Sequence, residues 1–123
     1  MSTPLDARGL AVMQLVLRVV LAGFFVFMAV RNLSGNAGMA ADFTRWGYPS
    51  WFRQLTAWLQ IVGALALLYP PLVFAGAVLL SGVLLGAIAT HLRHDPAASA
   101  LSPLLFLALL VPLLVVHRPA WMR

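Results

Sequence analysis

Long apolar segments separated by short polar ones make up most of this chain. From Gln54 to Leu92 no residue carries a formal charge. As a single α-helix that segment would be about 58 Å long, nearly twice the ~30 Å hydrocarbon core of a bilayer. The pair Pro70-Pro71 lies in its middle, and proline lacks a backbone N–H and disfavours helical geometry in the preceding residue. The pattern therefore predicts two antiparallel membrane helices with almost no loop between them.

The same pattern predicts four membrane spans in all, at 10–33, 51–69, 72–92 and 97–117. Asp95 is a natural N-cap for the last span, with Pro96 at its first helical position. Between the first two spans, Met39, Phe43 and Trp46 recur at helical spacing, which indicates a short helix lying in the membrane interface. We therefore expect an all-α, integral membrane four-helix bundle with both termini on the same side.

Composition agrees with a membrane setting. Hydrophobic residues make up 63% of the chain and charged residues 9%, against about 25% charged in an average soluble domain. A chain of 123 residues has too little interior to bury that much apolar surface, so we expect the lipid bilayer to be its main solvent. The whole chain, 1–123, is predicted to be one multi-pass domain of a plasma membrane. The use of Arg without any Lys suggests a bacterial source.

The net charge of +5 does not indicate nucleic-acid binding. The Arg residues lie at the ends of apolar runs, where cations contact lipid headgroups, and no basic recognition motif accompanies them. They divide almost evenly between the two sides, so membrane orientation stays open. The apolar core 19–30 also has the length of a signal-peptide core, although Arg31 directly after it favours a retained helix. The absence of cysteine excludes disulfides and thiolate chemistry in this chain.

Few polar residues lie inside the spans, and four of them are predicted at similar depth. Arg18 lies about 12 Å and Gln60 about 14 Å from the terminal-side surface, counted along their helices. Gln14 shares the helical face of Arg18, and Ser81 falls at a comparable level on the third span. We therefore predict that Gln14, Arg18, Gln60 and Ser81 form a ligand-binding cluster. The alternatives for Arg18 are snorkelling to the headgroups and a structural hydrogen bond to Gln60.

Two further patterns lie on the third span. Gly82 and Gly86 have GxxxG spacing, extended by Thr90, which predicts close helix packing within the bundle or, alternatively, across a homodimer. His91 and His94 are weak metal-ligand candidates, because two histidines without further nearby ligands are more simply interfacial residues. No span contains a carboxylate, so a proton relay through a membrane-embedded acid is not expected.

Several of these segments resemble the DoxX-like family of small four-helix membrane proteins. The resemblance is carried by the segment 43–53, with the sequence FTRWGYPSWFR, and by 61–70, with IVGALALLYP. Arg18, Arg31, the segment 90–92 and the pair 118–119 fit the same template, which covers about 13–119.

The resemblance implies an α-helical membrane bundle. Members of the family have been linked to quinone-coupled sulfur oxidation and to membrane oxidoreductase assemblies with soluble redox partners. Two departures stand out: Gln60 replaces a frequent Glu, which removes a titratable group from the membrane centre, and 31–33 reads Arg-Asn-Leu where Lys-Leu is common.

The leading hypothesis is an auxiliary subunit, or a lipophile-binding component, of a membrane redox system. A quinone is then the candidate bound cofactor, and a membrane or soluble redox protein is the candidate partner. The alternatives are a small membrane enzyme acting on a lipophilic substrate, and a purely structural membrane-assembly protein. A transporter is disfavoured, because the spans show neither a repeat nor an obviously broken helix.

Overall fold

The computed structural model describes residues 7–34 and 37–122, and the regular structure in these ranges is helical, without strands. The α-helices are α1 (Ala7–Leu33), α2 (Ala37–Arg45), α3 (Ser50–Leu68), α4 (Val73–His94) and α5 (Leu101–Val116). Short 3₁₀ turns occupy Pro70–Leu72, Ala97–Ala100 and Ala120–Met122. The all-α prediction is therefore confirmed.

The four long helices pack against one another so that chain neighbours are also spatial neighbours. Helix α1 packs on α3, α3 on α4 and α4 on α5, while α5 also contacts α1. Fully buried side chains from all four helices make the core, among them Phe25, Leu67, Leu80 and Leu110. The outer surface is apolar as well: Val20 is 59% exposed and Leu85 is 56% exposed. Apolar residues on both faces of a helix are typical of a bundle surrounded by lipid.

Three segments are long and apolar enough to cross a membrane: Ala7–Leu33, Pro70–His94 and Ala97–Val116, with mean hydropathies of 2.3, 2.5 and 2.5. They correspond to the first, third and fourth predicted spans. Helix α3, the second predicted span, is not among them. It carries Arg53 and Gln54 in its first half and Gln60 just past its middle, and these polar side chains lower its mean hydropathy.

The Pro-Pro pair breaks the helix as predicted, and the side chain of Arg18 completes the hydrogen bonding there. In a continuous helix the N–H of residue 71 would donate to the carbonyl of Leu67, but Pro71 has no N–H. The Leu67 carbonyl instead accepts a 2.6 Å hydrogen bond from Nε of Arg18. The neighbouring Ala66 carbonyl accepts the N–H of Tyr69 at 3.2 Å. A charged side chain of α1 thus caps the end of α3.

Helices α3 and α4 approach closely at two glycines. A Cβ placed on Gly63 would lie 2.6 Å from Cγ of Leu80, and one placed on Gly76 would lie 2.7 Å from Cβ of Ala66. By contrast, no described atom lies within 4 Å of a Cβ placed on Gly82 or Gly86. Close helix packing within this chain therefore occurs at another pair of glycines, and contact across a homodimer stays a prediction for Gly82 and Gly86.

Two local predictions change, one before the fourth span and one between the first two spans. The prediction that Asp95 caps the last helix is wrong: Pro96 occupies the N-cap position of the 3₁₀ turn that precedes α5, with no side-chain cap. The carboxylate of Asp95 is engaged by other side chains, described below. Helix α2 lies where the short helix was predicted, but Trp46 follows its last residue, and the side chain of Met39 lies outside the described part.

Candidate functional site

A cavity of about 940 Å³ lies within the bundle, bounded by α1, α3, α4 and α5, with α2 and its following loop at one end. Small-molecule pockets range from about 300 to 1,000 Å³, so the volume suits a substantial organic ligand. Most of the wall is apolar, including Phe24, Phe25, Met28, Leu59, Leu79, Val83, Leu84 and Phe106.

Aromatic rings form two parts of the cavity wall. Phe24 of α1 stacks on Phe106 of α5 with centroids 3.8 Å apart and planes 12° apart. A second group follows α2, where the ring of Tyr48 lies 4.7 Å from that of Phe52 and 6.4 Å from that of Trp46. Flat rings on two sides of an apolar cavity favour a flat, apolar guest.

Asn32 and Gln60 place amide groups in this otherwise apolar wall. The Asn32 side chain is 2% exposed and that of Gln60 is 8% exposed. Nδ2 of Asn32 donates to Oε1 of Gln60 over a long 3.4 Å, and the buried Oδ1 of Asn32 finds no partner among the described residues. Buried polar atoms are nearly always hydrogen-bonded, so this oxygen is an acceptor available to a bound molecule.

Tyr48 and Thr90 tie the loop after α2 to α4 beside the cavity. The Thr90 hydroxyl donates to the Gly86 carbonyl at 2.8 Å, and the Tyr48 hydroxyl lies 2.8 Å from the Thr90 oxygen. Because a hydroxyl has one proton to donate, Tyr48 is the donor to Thr90. This assignment leaves further acceptor capacity on the Tyr48 oxygen, in a residue that lines the cavity.

The carboxylate of Asp95 accepts hydrogen bonds from three side chains at the α2 end of the bundle. Arg45 binds Oδ1, while Nε1 of Trp46 donates to Oδ2 at 3.2 Å and Nδ1 of His91 contacts Oδ2 at 2.8 Å. Arg45 also pairs with Asp42 at 3.1 Å. The hydrogen bond from Arg45, and then that from His91, holds the pKa of Asp95 below its usual range. The hydrogen bond from Arg45 to Asp95, and then that to Asp42, raises the pKa of Arg45.

His91 and Trp46 are members of this network that also line the cavity. When the neutral His91 ring donates from Nδ1 to Asp95, its Nε2 carries a lone pair and is a hydrogen-bond acceptor. Trp46 packs edge-on against the ring at 5.4 Å and helps to fix its orientation. His94 is exposed, and no group of three His, Cys, Asp or Glu within 7–34 and 37–122 is placed to hold a metal.

A family model described as the DoxX-like family matches residues 16–113. This chain belongs to the DoxX-like family. The matched range contains all the described residues that line the cavity, so the cavity lies within the family domain. With its three apolar helices, this DoxX-like chain is a multi-pass membrane protein. It has no match among curated proteins or solved structures.

The four predicted ligand contacts of this DoxX-like protein lie in different places. Gln60 lines the large cavity, whereas Gln14 and Arg18 line a smaller recess with His117. Ser81 lines neither space, and its buried hydroxyl has no partner in the described part of the chain. The single cluster is not formed, because Arg18 bonds to the end of α3 whereas Gln60 pairs with Asn32. A ligand contact by each residue stays a prediction.

Several residues of this DoxX-like site are absent from the predicted ligand contacts, notably Asn32 and Tyr48, which line the cavity, and Asp95, which lies beside it. A usable signal was the concentration of aromatic residues between 43 and 52 in a largely aliphatic chain. Another was the rarity of acids, since an Asp at a helix end next to two histidines needs partners.

Proposed function

We propose that this DoxX-like protein binds a lipophile with a polar headgroup, of the quinone type, as a component of a membrane redox system. The observation that carries the proposal is the cavity of about 940 Å³, which combines apolar aromatic walls with buried amide groups. A purely structural protein needs no internal space of this size, because membrane helices gain stability by packing against one another.

The polar groups of the cavity match both redox forms of a quinone headgroup. A quinone carbonyl accepts hydrogen bonds, and the amide of Gln60 can donate one. A quinol hydroxyl donates, and Oδ1 of Asn32 is a buried acceptor without a partner among the described residues. The quinone ring then lies among the phenylalanine rings of the cavity wall. Stacking of two rings contributes about 0.5–1.5 kcal/mol per pair beyond burial.

Gly82 and Gly86 supply a route for an apolar molecule into the cavity. Both residues line it and are exposed, and the space where their side chains would project is open. In a membrane, this part of α4 faces lipid on one side and the cavity on the other. A lipophile therefore enters laterally from the bilayer, and larger side chains at these positions would obstruct it.

The proposed arrangement places all four long helices across the bilayer, with α2 in the interface and both termini on one side. Helix α3 joins as the fourth crossing because Gln60, near its middle, pairs with Asn32 inside the protein. Arg53 and Gln54 lie near the start of the helix, where we place the membrane interface. The redox role, and a membrane or soluble redox protein as partner, rest on membership in the DoxX-like family.

The test is to titrate the protein, purified in nanodiscs, with a short-tailed quinone. Quenching of the tryptophan fluorescence measures how tightly the quinone binds. Gly86→Leu fills part of the cavity and is expected to weaken binding at least about tenfold, as steric exclusion of a ligand ring does. Gly23→Leu is the matched control, since Gly23 is exposed on α1, has open space around it and does not line the cavity. The absence of quinone binding, or equal binding by both variants, would refute the proposal.

The His91–Asp95 pair favours a second candidate, a small membrane enzyme acting on a lipophilic hydroxyl compound. A histidine oriented by a carboxylate at a cavity wall is the arrangement of a general base. The distinguishing assay incubates the protein with a membrane lipid extract and follows new products by mass spectrometry. Product formation that His91→Gln abolishes, while quinone binding persists, would favour this candidate over the binding role.

A further inference from the structure

A second, smaller recess of about 350 Å³ lies at the end of the bundle where α1 begins and α5 ends. Its described lining consists of Ala7, Leu10, Ala11, Gln14, Arg18, Val116 and His117. It shares no lining residue with the large cavity. Its polar side chains come from two different helix ends, which makes it a site distinct from the proposed lipophile cavity.

Gln14 is the first indication that this recess holds a ligand. The residue is 4% exposed, and both its amide nitrogen and its amide oxygen lack a hydrogen-bond partner in the described structure. Nε2 of His117, also buried, is likewise unpartnered there. Leaving buried polar groups unsatisfied is unfavourable, and such groups are rare in native proteins. Three atoms of this kind on one small recess indicate a bound polar group.

Arg18 sets the charge that such a group must have. Only its Nε is used in the bond to Leu67, and a guanidinium has further N–H donors. Among the described lining residues Arg18 is the one with a formal charge, while the described acids, Asp42 and Asp95, lie at the opposite end of the bundle. Burial, and then the charge of Arg18, lowers the pKa of His117, so its ring is neutral at physiological pH and donates from one nitrogen.

The depth of the recess corresponds to the lipid headgroups. Helix α1 has 27 residues and is therefore about 40 Å long, some 10 Å more than the hydrocarbon core of a bilayer. We place this excess at the N-terminal end of α1, so that its first turns extend into the headgroup layer. Gln14, two turns into the helix, then lies near the ester level, which the long side chain of Arg18 also reaches.

We propose that this recess binds the anionic phosphate headgroup of a membrane lipid, with Arg18 and the nitrogen atoms of Gln14 and His117 donating to its oxygens. The amide oxygen of Gln14 accepts a hydrogen bond from a headgroup hydroxyl, which makes phosphatidylglycerol the matching class. Both lipid classes carry a phosphate, which accepts charge-assisted hydrogen bonds. The choline of a zwitterionic lipid, however, brings a positive charge close to Arg18 and offers no hydroxyl to the Gln14 oxygen, so the site selects anionic lipid.

The experiment is native mass spectrometry of the protein released from nanodiscs that contain equal amounts of phosphatidylglycerol and phosphatidylcholine. We expect retained phosphatidylglycerol in the wild type, and about tenfold less of it in Gln14→Leu, which removes a hydrogen bond to a charged group. Gln54→Leu, at an exposed glutamine of α3, is the control and should retain as much as the wild type. His117→Leu provides a second, independent variant.

Three further results decide the proposal. Equal retention of both lipids, or unchanged retention in both recess variants, would show that the recess does not recognise an anionic headgroup and would overturn the proposal. Displacement of the lipid by inorganic phosphate, lost in Gln14→Leu, would support the anion site and identify free phosphate as a second source. Gly86→Leu should leave lipid retention unchanged, because Gly86 lines the other cavity. A failure of the lipid proposal can therefore be told apart from a failure of the quinone proposal.

Discussion

The two ends of this bundle satisfy their polar groups in opposite ways. At the α2 end, Asp95 accepts three side-chain donors and Tyr48 bonds to Thr90, so these polar groups are paired within the protein. At the other end, both amide atoms of Gln14 and Nε2 of His117 have no described partner. Buried polar groups that are fully paired make a structure rigid, whereas unpaired ones mark places where something else must bind. The α2 end therefore carries a paired network that closes the fold, apart from Oδ1 of Asn32 at the cavity and Nη1 of Arg53, whereas the recess at the other end has no such network in the described structure.

The largest effect is expected from Asp95→Ala, which breaks the closed end. The substitution removes the common acceptor of Arg45, Trp46 and His91, so the segment from α2 to Tyr48 loses two of its side-chain bonds to the end of α4, while the Tyr48–Thr90 hydrogen bond remains. We expect the greatest fall in Tm of any variant here, together with new proteolytic cleavage between residues 37 and 49.

Asp42→Ala is the matched control for this prediction. Asp42 pairs with the same Arg45, but about half of each side chain is exposed, and exposed pairs contribute little. Its Tm and cleavage pattern should stay near those of the wild type. Equal effects of the two substitutions would show that Asp95 does not hold the segment.

The next largest effect is expected at Arg18, which joins α1 to the end of α3. Arg18→Met keeps the apolar stem but leaves the Leu67 carbonyl without a donor, because Pro71 cannot supply one. We expect a loss of about 1–3 kcal/mol in the free energy of unfolding. Denaturation in mild detergent measures it, with Arg93→Met at an exposed position as control. No difference between the two variants would contradict the capping role.

A smaller, pH-dependent effect follows from the lowered pKa of Asp95. A carboxyl group whose pKa is lowered in the folded state stabilises the fold above its unfolded pKa, about 3.9, and loses that contribution as pH falls through the lower folded value. Attachment of the α2 segment should therefore persist from neutral pH to about 4 and weaken only below it. Limited proteolysis with an acid-active protease measures this, and Asp95→Asn should remove the transition.

The smallest effect on stability is expected at the end with the recess. Gln14→Leu replaces an unpartnered buried amide with an apolar side chain of similar size, so Tm should stay unchanged or rise slightly in detergent without added lipid. A marked fall in Tm under these conditions would mean that the amide has a protein partner after all, and the contrast between the two ends would disappear.

The fold was largely predictable because it depends on local patterns. Uninterrupted apolar runs located the long helices to within a few residues, so that α1 begins at Ala7 where the span was predicted from 10. The break at Pro70-Pro71 follows from the covalent structure of proline alone. Helix α3 was found as a helix, although its polar first half leaves its crossing of the membrane a proposal.

The candidate site was less predictable because its contacts join distant segments. Arg45 and Asp95 are 50 positions apart, and no helical or strand period links them. The close approach of α3 and α4 was hidden for a related reason, since Gly63 and Gly76 have no spacing that marks them and come to lie at the helix contact only after the chain reverses. The partner of Arg18 was easier to predict, because the missing N–H of Pro71 already identifies the Leu67 carbonyl as one without a helical donor.

The bond between Arg18 and the Leu67 carbonyl has a consequence for biogenesis. An arginine well inside a membrane segment raises its insertion cost by up to about 2.5–3.5 kcal/mol until it finds a partner. The ribosome makes that partner some fifty residues later, at the far end of α3. We therefore expect α1 to reach its final position in the bilayer only after α3 has been synthesised. The insertion of α1 is then coupled to continued translation.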